Sequence, residues 1–257
     1  MSDYEITWDD KKIIPTLKQE VCNRLGEKAW DILIDGIDVP DPDTEKTLGC
    51  KNMRVIIERL ESMADKETVK GILTRVRHGF GYTPINGPSK EFVECGCNLD
   101  VYLDKCRERR REEFIRHNTE GTKYWGDLIP DEVLDYLLNT EGILAPVRKG
   151  SQLHITRHPY DMNSYFKEID ERRKRVHYCH CLFARTSILS YDGTVSKTMC
   201  NCSLGLIISN WEETLGVRLD GDVIESVLGG DDICRFVIYL PDEIMKNIHK
   251  QETKHGY

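Results

Sequence analysis

Through the first half of the chain, apolar residues recur at helical spacing. Leu17, Val21, Cys22 and Leu25 follow Pro15 on one face, and Gly26 is placed to stop that helix. K-A-W-D-I-L-I-D carries the pattern on to Gly36. Residues 1 to 15 read as a loose arm, and V-P-D-P-D-T as a turn ending in a helix cap at Asp43 or Thr44. Met53, Ile56, Ile57 and Leu60 form a second apolar stripe; Val69, Ile72, Leu73 and Val76 form a third. Asp65 is the expected N-cap between them, with Thr68 in the first turn. Arg75, Arg77 and His78 close the third helix, where positive charge suits the helix dipole; an anion site is the competing reading. Beyond the loop G-Y-T-P-I-N-G-P-S, Asn98 or Asp100 can cap a helix burying Leu99, Leu103, Cys106 and Phe114. Cys95 and Cys97 then precede a helix N-terminus, a position that favours thiol reactivity. The charge run Arg107–Glu113 reads as a solvated helix face, and Pro130 opens another short helix.

The pattern changes between Gly142 and Gly150, which divides the chain into a helical region, 1–145, and a cysteine-rich α+β region, 146–257. S-Q-L-H-I-T-R-H alternates as a strand does, and P-Y-D-M-N-S-Y-F-K-E-I-D-E-R-R-K-R reads as a helix. Val176–Ala184 and Thr194–Asn201 read as strands joined through a Tyr191-Asp192-Gly193 turn. An apolar helix stopped by Gly216 follows. Val217–Leu228 and Ile233–Leu240 complete the pattern as two strands joined at G-G-D-D. The expected class is α+β: a helical N-terminal half, then an antiparallel sheet with helices in β-α-β-β-α-β-β order.

Composition narrows the partners. The 257 residues are 39% hydrophobic and 31% charged, a globular balance, with a net charge of −8. That charge argues against nucleic acid or an anionic membrane as a partner of the whole surface. No run reaches the roughly 18 apolar residues of a membrane span, and the acidic start M-S-D-Y-E-I-T-W-D-D lacks the features of a signal peptide. A cytoplasmic setting is expected, a homo-oligomer being left open.

The ten cysteines then become the centre of interest, because five of them lie between Val176 and Leu240. Isolated Cys22, Cys50 and Cys106 read as small core residues. If 176–184 and 194–202 pair as strands, Cys179, Cys181 and His177 share one face and Cys200 and Cys202 approach them, while His180 points the other way. Such a set could hold zinc or an iron–sulfur cluster through Cys179, Cys181, Cys200 and Cys202, or act as a redox dithiol, or line a ligand pocket.

The residues Leu215-Gly216, Val217, Glu225, Gly230-Asp231 and Cys234-Arg235-Phe236 resemble the C-terminal signature of the 4-vinyl-reductase-type small-molecule-binding domain. Cys202-x-x-Gly205 is similar to the cysteine and glycine that open its helix. The L-2-amino-thiazoline-4-carboxylic acid hydrolases share a similar arrangement. The resemblance is confined to the C-terminal half. It implies a mixed α/β fold around an apolar cavity, with a small organic ligand or metal near the cysteines, and marks Cys202, Glu225 and Cys234. Where that signature has a cysteine after the glutamate, this chain has Ser226, which puts a metal site using that thiol in doubt. Turn chemistry alone is the competing account of Gly229-Gly230-Asp231-Asp232.

Three functions follow as expectations. The first is a ligand-binding or sensor protein whose cavity is lined by Cys179, Cys181, Cys200, Cys202 and Cys234. The second is a cysteine-dependent hydrolase of C–N bonds in a small cyclic amide- or thiazoline-like substrate. There Cys202 or Cys200 attacks and His177 or Glu225 moves protons. The third is a zinc or iron–sulfur protein.

Overall fold

The computed structural model describes residues 10–40, 46–81, 83–191 and 193–246. Of the loose arm expected over residues 1–15, residues 1–9 lie outside them, as do the caps expected at Asp43 or Thr44. Asp10–Lys12 is a 3-10 turn that leads into a helix begun at Ile13, so residues 10–15 are helical and not arm. In chain order the helices of the first half are α1 (Ile13–Leu25), α2 (Glu27–Ile34), α3 (Lys46–Met63), α4 (Lys66–Val76), α5 (Lys90–Glu94), α6 (Leu99–Glu120) and α7 (Asp131–Asn139). Strands β1 (Val147–Lys149) and β2 (Gln152–Thr156) follow, then α8 (Met162–Lys167), α9 (Glu171–Tyr178) and α10 (Asn201–Leu215), and finally β3 (Asp220–Glu225) and β4 (Arg235–Tyr239). The expected class holds: helices first, then a four-stranded antiparallel sheet in the order β1-β2-β4-β3.

Local chemistry explains most of these boundaries. Asp65 caps α4 by accepting from the backbone N–H groups of Glu67 and Thr68, both at 3.0 Å. Asn98 caps α6 through the Val101 N–H, and Pro130 stands immediately before α7. The order of elements departs from expectation: two expected strands are absent, β1 is added, and the helix expected over 159–175 is divided into α8 and α9. Val176–Ala184 is not a strand, because α9 runs through Tyr178, capped by Asp170 on the Arg173 N–H at 2.9 Å. The chain then turns: the N–H groups of Ala184 and Arg185 both return to the Cys181 carbonyl. Thr194–Asn201 is not a strand either; Ser196 caps a short 3-10 turn, Lys197–Cys200, that leads into α10. The alternation in V-H-Y-C-H-C-L-F is real, but no neighbouring strand accepts it. The observed order is β-β-α-α-α-β-β, and β1, read from sequence as turn, pairs with β2 through Arg148↔Leu153.

Contacts group the chain into two compact units, each drawn from two stretches of sequence: 1–84 with 181–209, and 85–180 with 210–257. In the first, Leu17, Val21, Met53, Ile56, Ile57, Leu60, Ile72 and Leu73 are fully buried. The returning segment seats against α4 at Gly205, where an added Cβ would lie 2.0 Å from the Thr74 carbonyl oxygen. Only a residue without a side chain permits that approach of two backbones.

In the second unit, Phe114, Tyr124, Ile129, Val133, Leu137, Ile143 and Met162 form a core, with Phe114 and Tyr124 edge-to-face at 5.0 Å. Arg148 on β1 grips the Asp100 carboxylate of α6 through Nε and Nη2, each at 2.8 Å. The sheet is in register at Leu153↔Ile238 and Ile155↔Phe236, which places buried side chains opposite one another.

The Gly205 contact makes a direct prediction. Gly205→Ala should destabilise the protein by about 3 kcal/mol or more, because the Cβ meets a helix backbone that cannot give way locally. Urea denaturation measures it; a loss under about 1 kcal/mol would show that the two backbones do not approach this closely.

Candidate functional site

The expected site residues are spread over both units. Cys181, Cys200 and Cys202 belong to the first, and Cys179, His177, Glu225 and Cys234 to the second. Among the described residues no three His, Cys, Asp or Glu side chains gather as a metal site. The shared face for Cys179, Cys181, Cys200 and Cys202 does not form, since none of the four lies in a strand. Cys200 ends the 3-10 turn and Cys202 is the second residue of α10, and residues two apart on a helical backbone face different ways.

Each remaining member has its own local account. Glu225 pairs across the hairpin with its strand partner Arg235 at 2.8 Å. His177 Nδ1 lies 3.4 Å from the Asp161 carboxylate, and Asp161 also caps α8 on the Ser164 N–H. Cys234 and Cys179 are buried. Ser226 is 1% exposed and works as a cap: its hydroxyl accepts from the Leu228 N–H while its own N–H donates to Asp231 at 2.8 Å. A serine at that position is thus explained by the turn, as are Gly230 at φ 104 and Asp231.

Cys202 has company of a different kind. It accepts from the backbone N–H of His78 at 3.2 Å, and the His78 ring Nε2 meets the Ser203 hydroxyl at 2.9 Å. Arg77 and His78, at φ 50 and 52, are consecutive left-handed residues, and both are buried. Such backbone is held only where its surroundings over-determine it. Cys202 is 2% exposed; its sulfur meets the His78 main chain, and the His78 imidazole meets the serine.

The first unit also contains a cavity of about 720 Å³ between α3 and the returning segment, lined by Leu48, Cys50, Lys51, Arg54, Thr186, Ser187, Leu189, Ser190, Tyr191 and Gly193. None of these residues was singled out from sequence as a site residue. Cys50 Sγ lies 2.8 Å from the Thr186 hydroxyl and 3.7 Å from the Leu182 carbonyl, so the two walls are joined at the thiol. Arg54 reaches the Gly193 carbonyl at 3.5 Å and Glu58, one turn on, at 3.7 Å. Lys51 is exposed, and among the described residues no carboxylate pairs with it. The i,i+3 spacing of Lys51 and Arg54, which puts both cations on one helix face, was the available signal. It could not be used without knowing which segment packs opposite.

Comparison of the chain with protein-family models, with curated proteins and with solved structures returns no match.

Burial sorts the ten thiols into two groups. Cys50, Cys179, Cys202 and Cys234 are buried, and Cys22, Cys95, Cys97, Cys106, Cys181 and Cys200 are partly exposed. Burial also pushes the Cys106 thiol up, which lowers its share of reactive thiolate. Pulsed alkylation of the native protein, read by peptide mass spectrometry, should therefore label Cys95, Cys97, Cys181 and Cys200 at least about tenfold faster than the buried four. Fast labelling of Cys202 would instead mark it as an accessible nucleophile.

Proposed function

We propose that this protein binds a small organic anion in the cavity beside α3, with the acidic group at Lys51 and Arg54 and an apolar portion against Leu48 and Leu189. The observation that carries the reading is the cavity: its 720 Å³ falls within the about 300–1,000 Å³ typical of small-molecule sites. Its wall combines two cations with the hydroxyls of Thr186, Ser187 and Ser190. In a chain of net charge −8, two cations on one cavity wall concentrate the field that draws an anion. A small-molecule-binding role is also what the resemblance to the 4-vinyl-reductase-type domain implies, but the residues that resemblance marks, Cys202, Glu225 and Cys234, do not line this cavity. The ten unbridged cysteines suit a reducing, cytoplasmic setting.

Binding is favoured over hydrolysis by the surroundings of the thiols. A cysteine nucleophile needs a base within hydrogen-bonding reach. Cys50 is the thiol that lines the cavity, and its polar partners among the described residues are a threonine hydroxyl and a carbonyl, neither of which is a base.

A thermal-shift screen of aliphatic carboxylates and monophosphates, each beside its neutral methyl ester, tests the proposal. An acid at about 100 times its Kd should stabilise the protein by about 2.7 kcal/mol. The Lys51→Glu/Arg54→Ala variant should weaken that acid about tenfold to a hundredfold. Added salt should weaken it too. Esters that bind as well as their acids, or an unchanged affinity in the variant, would refute it.

A further inference from the structure

The second unit holds a cation that no carboxylate pairs with among the described residues. Arg157 leaves the end of β2 with its peptide fixed on both sides: its N–H donates to the Cys234 carbonyl at 3.0 Å, and its carbonyl accepts from the Tyr178 hydroxyl. This holds the guanidinium half-buried, and burial pushes its pKa down. Among the described residues no carboxylate pairs with Arg157; Cys234, Tyr124 and Tyr178 lie near enough to favour its charge, and a second cation, Arg110, itself paired with Glu113 at 3.3 Å, opposes it.

The two imidazoles beside Arg157 can be assigned from their partners. Arg157 Nη2 lies 3.1 Å from His180 Nδ1, and a guanidinium only donates, so that nitrogen accepts. The His180 proton is then on Nε2, which donates to the His158 carbonyl at 2.8 Å. His180 is thus a neutral imidazole and offers Arg157 no counter-charge. His158 Nδ1 lies 2.8 Å from the Pro159 carbonyl, which only accepts, so the proton sits on Nδ1 and Nε2 presents a lone pair. Burial, with the charge of Arg157, pushes His158 down to about 4 and keeps it neutral at physiological pH. The two rings meet edge-on at 5.6 Å, and Tyr124 meets His158 at 6.0 Å, its hydroxyl accepting from Arg110 at 3.1 Å.

The corner therefore sets a fork of N–H donors, paired with no carboxylate among the described residues, near a ring whose Nε2 presents a lone pair. A half-buried charge without a counter-ion is costly, and an anion that arrives with its own hydroxyl donor satisfies both groups. A monoanion matches the single free charge better than a phosphate dianion does. We propose that this corner binds a small 2-hydroxycarboxylate, its carboxylate on the Arg157 guanidinium and its hydroxyl donating to His158 Nε2. The site is independent of the cavity beside α3, and each can fail without the other.

Lactate and propionate differ only in the hydroxyl, so they make the test. Both are titrated at pH 7 into protein carrying ring-labelled histidine, with the His158 and His180 signals followed by NMR. Lactate should shift both signals saturably and bind about tenfold or more tighter than propionate, one hydrogen bond's worth of selectivity. Inorganic phosphate should compete poorly. Arg157→Met, with the remaining spectrum intact, should abolish the response, and Lys51→Glu/Arg54→Ala should leave it unchanged. Equal titration by lactate and propionate in the wild-type protein overturns the proposal without recourse to any variant, as does phosphate binding more tightly than lactate.

Discussion

The first unit depends on one backbone contact. At Gly205 the early turns of α10 approach the Thr74 carbonyl of α4 too closely for any side chain to lie between them. Through it, a segment that begins at residue 181 returns to helices made from the first 84 residues. Leu204, Leu206, Ile207 and Ile208 flank the contact and are buried, so the helix is enclosed on all sides there. The same return brings Thr186 to Cys50 and Ser196 to Glu61, the latter at 2.6 Å. The cavity exists because this segment spans α3 with polar groups joined at a few points instead of a continuous apolar seam.

The strain at Arg77 and His78 belongs to the same arrangement. Two consecutive non-glycine residues in left-handed backbone are disfavoured by Cβ–carbonyl crowding. They persist because α4 must end where α10 begins: the His78 N–H is taken by Cys202 and its ring by Ser203. Cys202 is thereby read as an acceptor that helps fix a sharp corner. That role needs a buried sulfur, not a reactive one, and it accounts for a cysteine at the start of an apolar helix without invoking chemistry there.

Local signals were legible in the sequence and long-range partners were not. The stripes at Met53–Leu60 and Val69–Val76, the caps Asp65 and Asn98, the stop at Gly216 and the G-G-D-D hairpin all depend on residues within a few positions of one another, and all appear as expected. The strand at 176–184 failed because alternation shows only that a strand is permitted, and pairing needs a neighbour the sequence does not name. The capped run E-R-R-K-R-V-H-Y offered a helix of its own and took the chain through Tyr178. Cys50 was read as core, which it is; its place at a cavity follows from Thr186, 136 residues away. His78 was read as charge at a helix end, and its actual contacts come from 124 and 125 residues downstream. Arg157 and His158 read as the end of an alternating strand, since nothing local reveals that no carboxylate faces them.

The two cationic places differ in a way that bears on what they select. Lys51 is exposed and hydrated, so its charge costs little to maintain and discriminates weakly: any anion that fits gains a screened attraction. Arg157 is desolvated, its neighbours are neutral imidazoles in fixed tautomers, and its peptide is pinned by Cys234 and Tyr178. A charge kept in such surroundings is expensive when unsatisfied, and a mismatched partner leaves polar groups unpaired at a cost of about 1–3 kcal/mol each. Selectivity rises with that cost. Of the two proposed sites, the corner at Arg157, where hydrogen-bond donors and acceptors are assigned, is therefore expected to discriminate more finely than the cavity beside α3.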